Sequence, residues 1–313
     1  MIEFTALDAI LVRLAIGLFV SAAIGILAHR RGSLTRSGVV GAMITGTLIF
    51  GFGGFVAGLL LIAFFMSSSL LSHFKSRDIR KQRAAEIFDK GGQRDLGQAL
   101  ANGGAATIFA VLSGSAMVLF NYEAELVLFV AMMGALATVN ADTWATELGI
   151  LSKSSPRLIT TLKQVEPGTS GGISRAGLFA AFGGATFISL MYFYLLVAVS
   201  LLALIIVADE STAMRTIELA PGIRFYGNSS PIFIASVILG GVAGSLFDSF
   251  LGATVQAMYY REARHKETEK KFERDGTPNK PIRGWRWLNN DWVNFISSVF
   301  GAGTAALIAM VLT

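Results

Sequence analysis

The sequence predicts an all-α, polytopic integral membrane protein, and three observations predict it. Of 313 residues, 53% are hydrophobic and 15% charged, where soluble domains carry about 25% charged residues, and the mean hydropathy is +0.59. Apolar runs of about 20 residues, the length that crosses a hydrocarbon core about 30 Å thick, recur along the whole chain. The loops 29–37, 72–95, 144–176 and 260–292 hold 23 of the 26 Lys and Arg residues. A soluble globule and a single-anchor protein are both excluded, and residues 1–313 read as one transmembrane domain.

The first apolar run, 9–28, follows the acids Glu3 and Asp8 and is stopped by His29, Arg30 and Arg31, which makes it a retained helix rather than a signal peptide. Runs at 38–50 and 55–71 flank Gly51, Phe52, Gly53 and Gly54. The first of the pair is too short to span comfortably, so the two form a re-entrant or broken hairpin. Further runs at 96–120, 126–143, 177–207, 232–259 and 293–312 bring the total to about seven or eight spans. Cytoplasmic loops collect Lys and Arg, so the N-terminus is placed outside and the four basic loops in the cytosol, in a bacterial, archaeal or plastid-type membrane. Only Arg13, Arg215 and Arg224 fall elsewhere. The net charge of +5 is therefore read as an orienting bias, not as nucleic-acid binding. The absence of Cys excludes thiol nucleophiles, Fe–S clusters and Cys-ligated zinc, and three scattered His leave any metal to oxygen ligands.

Four polar clusters sit where the basic loops enter the membrane. In the first, which begins Gly91, Gly92, Gln93, Arg94, the residues Asp95, Gln98 and Asn102 recur at i, i+3 and i+7 and share one helix face. A capped helix start explains Asp95 but not the two amides deeper in, which are costly there without partners. The second cluster, 140–149, brings two acids, Asp142 and Glu147, to a membrane edge that favours Lys and Arg. On a straight helix Asn140, Thr143 and Glu147 share a face and Asp142 points away, so both acids reach one ion only if the helix loosens.

The third cluster contains Gly168, Thr169, Ser170, Gly171, Gly172 and Ser174, directly before the run at 177–207. Its glycines allow successive N–H groups to converge as an anion nest, and the helix start beyond adds a positive dipole end. A plain loop with Ser174 as N-cap is the competing reading, and the GxxxxGK[ST] phosphate loop is absent. In the fourth, Ser245, Asp248, Ser249, Gly252 and Gln256 fall within an arc of about 100° on an otherwise apolar helix. Packing through Gly240 and Gly244 accounts for the small residues but not for an ionisable Asp within a span. Asn290, Asp291 and Asn294 open the last helix, where capping by Asn290 or Asp291 competes with ligand binding. The basic loop 260–286 is read as a solvated, lipid-facing surface.

Carboxylates, amides, a glycine-rich loop and cations at one membrane face, without Cys or a nearby His, fit phosphoryl or nucleotidyl transfer. That chemistry needs positioning, Mg²⁺ on hard oxygen ligands and cations around phosphate oxygens. An acceptor that is already a phosphate monoester is ionised at neutral pH and requires no strong base. Its tail would stay among the helices while the donor approaches from the cytosol. A transporter of small anions or lipids is the rival, since short and Gly-interrupted segments occur in carriers. Against it, the clusters gather at one face instead of the bilayer midplane.

These residues also resemble the integral-membrane family that includes the phytyl-phosphate kinase of plant and cyanobacterial vitamin E biosynthesis and the human transmembrane protein 19. The matching stretches are RRGSLTRSG at 30–38, GGQRDLGQALANGG at 91–104, NADTWATELG at 140–149, PRLI at 156–159 with PGTSGGIS at 167–174, GSLFDSFLGATVQ at 244–256 and NNDWVN at 289–294. The loops 73–90 and 208–230 carry no matching motif. The resemblance implies a kinase that converts a polyprenyl-type monophosphate to its diphosphate with CTP or another nucleoside triphosphate. It further implies Asp95, Asp142, Glu147 and Asp248 as catalytic acids, with Mg²⁺ on Asp142, Glu147 and Asp248. Asn102, Asn140, Ser245 and Gln256 would orient ligands, Arg36, Arg94 and Arg157 would neutralise phosphate charge, and 168–174 would cradle one phosphate. Gln98, Ser249, Asn290, Asp291 and Asn294 complete the binding candidates. A cytidylyltransferase acting on a lipid phosphate shares this physics and differs in releasing pyrophosphate.

Overall fold

The computed structural model describes residues 5–88, 93–206, 230–262, 265–273 and 275–312. Glu3, Gly91, Gly92, Arg215, Arg224, Arg264 and Arg274 lie outside the described residues, as does nearly all of the loop 208–230. Among the described residues eight helices run in order: α1 (Ala6–Arg30), α2 (Arg36–His73), α3 (Ile79–Ala85), α4 (Leu96–Val118), α5 (Tyr122–Gly149), α6 (Arg175–Ile206), α7 (Ser230–Thr254) and α8 (Asn290–Leu312). All but α3 are long and apolar enough to cross a membrane. Two small antiparallel sheets accompany them among the described residues. One pairs β1 (Arg157–Leu158) with β2 (Gly172–Ile173), and the other, in the order β4-β3-β5, contains β3 (Met258–Arg261), β4 (Lys266–Thr268) and β5 (Lys280–Arg283).

The predicted hairpin is α2 itself. Gly54 has φ +84° and ψ 173°, backbone space essentially reserved for glycine, and there the helix folds back. Arg94 touches both arms of the α2 hairpin. Its carbonyl accepts the Thr35 N–H at 3.0 Å, and its guanidinium lies 5.8 Å from the Phe64 ring. A straight helix would hold Thr35 and Phe64 about 44 Å apart.

Helix α5 is the axis of the bundle and packs against α2, α4, α6, α7 and α8. Every residue of α5 from Phe129 to Ala141 is buried, the signature of a helix enclosed on all sides. Phe129, Tyr192 and Phe233 stack at one level, with Tyr192 and Phe233 ring centres 5.0 Å apart. Where α5, α7 and α8 cross, glycine permits close approach: a Cβ at Gly240 would stand 2.6 Å from that of Ala305. Gly240 therefore packs helices, as the small-residue reading of that stretch required.

One predicted span is too long. The apolar run 232–259 leaves the helix at Thr254, and Met258 and Tyr259 begin β3. Hydropathy does not register the change, because Ala257, Met258 and Tyr259 remain buried and the Ala257 N–H donates to Leu288 O at 2.8 Å. The basic loop is folded as well: β3, β4 and β5 build it, and a double hydrogen-bonded ion pair joins Arg261 to Glu273.

The basic loops converge at one end of the bundle. Arg94 N–H donates to Ser33 O at 3.0 Å, Arg80 donates to Leu151 O at 2.6 Å, and Ile87 O accepts from the Glu269 N–H and the Thr268 hydroxyl. Motifs far apart in sequence thus share one polar face.

Candidate functional site

At that face a polar cavity of about 690 Å³ opens between the loop-side ends of α5 and α7, the start of α8, the glycine-rich loop and α3. Asp142 of α5 and Asp248 of α7 both line it. Ser245 donates to Asp142 at 3.4 Å, and Asp248 interacts with the Ser297 hydroxyl of α8 and feels the charge of Asp142. Two helices therefore bring two carboxylates together in a partly buried recess, where the repulsion between them favours a cation. Ser249, one residue on from Asp248, shares the wall.

Glu147 lines the same cavity but does not join this pair. Lys81 Nζ and the Ser72 hydroxyl each lie 2.6 Å from its carboxylate oxygens. The expected three-carboxylate metal set of Asp142, Glu147 and Asp248 is corrected accordingly. Helix α5 stays regular to Gly149, and five helical steps turn Glu147 about 140° away from Asp142. Among the described residues no three His, Asp or Glu side chains gather as a metal-binding group. The pair alone still fits Mg²⁺, which is commonly held by one or two carboxylates together with water and substrate phosphate oxygens.

Asp95 also requires correction. Its carboxylate accepts the Gln98 N–H at 2.9 Å, while the Gln98 side-chain oxygen accepts the Asp95 N–H at 3.1 Å. This reciprocal pair is the capping box of α4, and Asp95 is not part of the cavity wall. Asn140 is fully buried and ties α5 to α6 and α2 through Gly184 O at 2.7 Å and the Ser67 hydroxyl at 3.3 Å. Asn102 accepts a hydrogen bond from Asn294 at 3.2 Å. Arg36 is exposed at the start of α2, and Arg157 is exposed with its guanidinium on Leu162 O, so neither reaches the cavity. Gln256, 1% exposed, accepts from Ser170 and donates to Glu269, both at 2.8 Å. Asn102, Asn140 and Gln256 position their neighbours and do not line the cavity.

Gly168, Thr169, Ser170, Gly171, Gly172 and Ser174 all line the cavity. The expected anion nest is only partly available, because the Thr169 and Gly172 N–H groups bond to Glu166 O and Thr169 O within the loop. Ser174 caps α6 by accepting the Gly177 N–H. At Gly171, with φ +82°, an added Cβ would stand 2.5 Å from Ala253, so this glycine is needed to press the loop onto α7. The cap of α8 is Asn289, which accepts the Trp292 N–H at 3.1 Å. Asn290, Asp291 and Asn294, beyond the cap, line the cavity.

Arg94 and Gln98 form another part of the wall. The Arg94 guanidinium lies 5.8 Å from the ring centres of both Phe64 and Phe65, a cation held on aromatic faces. Burial draws its pKa below the ordinary arginine range, and the charge of Glu147 opposes that shift. A desolvated cation at a cavity wall favours an anionic ligand. Lys81, Glu269 and Lys270 line the cavity as well, and sequence reasoning missed all three. Lys81 lies in the motif-free loop 73–90 among five other basic residues, where only the fold distinguishes it.

Comparison with known proteins places the chain in a family. The profile of the integral membrane protein family DUF92 matches residues 19–302. Protein PGR of Arabidopsis thaliana is 34% identical over 292 residues, which cover 91% of this chain and 92% of the plant protein. An uncharacterized membrane protein of Methanocaldococcus jannaschii is 28% identical, covering 95% of each chain. Another from Synechocystis is 25% identical over 87% of this chain and 81% of its own. No solved structure matches. The family resemblance read from the motifs holds across the length of the molecule, and the chain belongs to the DUF92 family of integral membrane proteins.

Proposed function

We propose that the protein is a membrane kinase that transfers the terminal phosphoryl group of a nucleoside triphosphate to a polyprenyl-type monophosphate such as phytyl or geranylgeranyl phosphate. The observation that carries this reading is the Asp142–Asp248 pair sharing one cavity with Arg94, Lys81 and Lys270. Phosphoryl transfer needs this division, with anionic ligands for a cation on one side and cations for phosphate oxygens on the other. CTP as the favoured donor comes from the family resemblance alone.

Mg²⁺ held by Asp142 and Asp248 would neutralise triphosphate oxygens and fix the donor. Arg94 binds the acceptor phosphate, its planar fork suited to two phosphate oxygens. An acceptor oxygen bonds to the γ-phosphorus as the bond from that phosphorus to the β–γ bridging oxygen breaks. The nucleoside diphosphate leaves with the electron pair, and the ionised acceptor has no proton to give up. Gln256 acts at one remove, since it braces Ser170 of the glycine-rich loop against Glu269.

The fold of α2 at Gly54 favours a second reading, a carrier, because broken helices are built into many transporters. Purified protein incubated with geranylgeranyl phosphate, Mg²⁺ and each nucleotide, with products identified by mass, separates the readings. A prenyl diphosphate with a nucleoside diphosphate supports the kinase, pyrophosphate release shows nucleotidyl transfer, and the absence of any product leaves the carrier. In the same proposal the cavity faces the cytosol and the N-terminus lies outside. Cysteines placed at the exposed Ser154 and Glu123 of this Cys-free chain should then label from opposite sides of sealed vesicles.

A further inference from the structure

A second, apolar slot lies beside the polar cavity. Its walls are Ile24 of α1, Ala42 and Thr45 from the first arm of α2, Leu61 and Phe65 from the second, and Ala99 of α4. Arg94 and Gln98 line both the slot and the polar cavity, so the two spaces meet at a cation and an amide. Phe50, buried and packed on Gly58, lines the slot toward the fold of α2.

We infer that this slot holds the hydrocarbon tail of the acceptor, with the tail's phosphate at Arg94 and the reacting end in the polar cavity. The inference rests on the kinase reading for the identity of the acceptor. What specifies an anionic amphiphile is the juxtaposition: apolar walls on three helices end at a desolvated guanidinium, and beyond it stand the two carboxylates. A free anion would have no use for the slot, and a neutral lipid would have no use for Arg94.

The test measures equilibrium binding without nucleotide, using geranylgeranyl monophosphate, the five-carbon dimethylallyl monophosphate and inorganic phosphate as probes. Ala42→Phe fills the slot, and Ile44→Phe, on the exposed side of the same arm, is the control. Ala42→Phe should weaken geranylgeranyl monophosphate about tenfold or more, leave dimethylallyl monophosphate and phosphate unchanged, and keep the wild-type melting temperature, while Ile44→Phe changes nothing. Should Ala42→Phe melt early, Ile62→Trp at the same slot replaces it. Unchanged geranylgeranyl monophosphate binding in a folded, slot-filled variant overturns the inference, and turnover by that variant would leave the kinase reading standing. Chain-length-dependent binding lost in Ala42→Phe, in a wild-type protein with no transferase product, would keep the slot and remove the kinase.

Discussion

The start of α4 and the middle of α7 look alike as strings of letters. Each sets an Asp ahead of amides or hydroxyls at helical spacing, Asp95 with Gln98 and Asn102, and Asp248 with Ser249 and Gln256. The structure separates them. Asp95 stands at a helix end, where unpaired N–H groups wait and a capping box answers its charge within three residues. Asp248 stands inside a helix whose own N–H groups are already bonded, so its carboxylate must find partners across helices, and it meets Asp142 and Ser297. An acid at a helix start carries little information about function, whereas an acid within a span carries a great deal.

The largest effect that sharpens this contrast is expected from Asp248→Asn. Turnover should fall about 10²–10³-fold or more, the scale of losing one preorganised electrostatic group. The unliganded variant should melt at or slightly above the wild-type temperature, because Asp142 no longer faces a second negative charge. Mg²⁺ with nucleotide should then fail to raise its melting temperature, where it raises that of the wild type. A variant with near-normal turnover and ligand stabilisation would erase the distinction between the two aspartates. The next effect is that of Arg94→Lys, which keeps the charge and removes the fork. Losing one charge-assisted hydrogen bond of about 1.5 kcal/mol lowers kcat/KM about tenfold. Unchanged kinetics at low substrate would rule out paired phosphate contacts.

Asp95→Ala approaches the contrast from the other side. It removes a helix cap, so stability should drop by about 1 kcal/mol while kcat and KM of the folded fraction stay near wild type. The expected readout is a lowered melting temperature beside unchanged turnover per folded molecule. Lost turnover at an unchanged melting temperature would return Asp95 to the catalytic set.

What was legible in the sequence follows the same division. Apolar runs announced the spans, and the glycines at 51, 53 and 54 marked the fold of α2 without showing which of them makes it, because both signals are local. The glycine-rich loop and Asp248 were legible because their residue types are costly where they stand. Lys81 was not, since a lysine in a charged loop becomes a partner of Glu147 only after α2, α3 and α5 have assembled. The end of α7 was misplaced because burial against Leu288 keeps residues 257–259 apolar whether they are helix or strand. Asn289 was passed over as the cap of α8 because three polar residues in a row offer the same chemistry, and only backbone geometry selects among them.

The smallest effect comes from an acid answered even more locally than Asp95. Asp78 caps α3, and its carboxylate is held at a pKa of about 2, first by the Arg80 side chain and then by the Arg80 N–H. A folded pKa below the ordinary value of 3.8 means that the pair contributes stability above about pH 4. That contribution is lost as the pH falls through 2, where the folded carboxylate takes up its proton. Asn also caps helices, so Asp78→Asn removes the charge and keeps the cap. The melting temperature of wild type should exceed that of Asp78→Asn by a small, constant margin from pH 7 to 4, and the margin should close between pH 4 and 2. It should also shrink with added salt, as expected for a half-buried pair that solvent still reaches. Because Arg80 also bonds to Leu151 O and Ser152 O, a margin that persists at pH 2 would mean that the substitution disturbs the seating of α3, and with it Lys81, instead of the charge on Asp78.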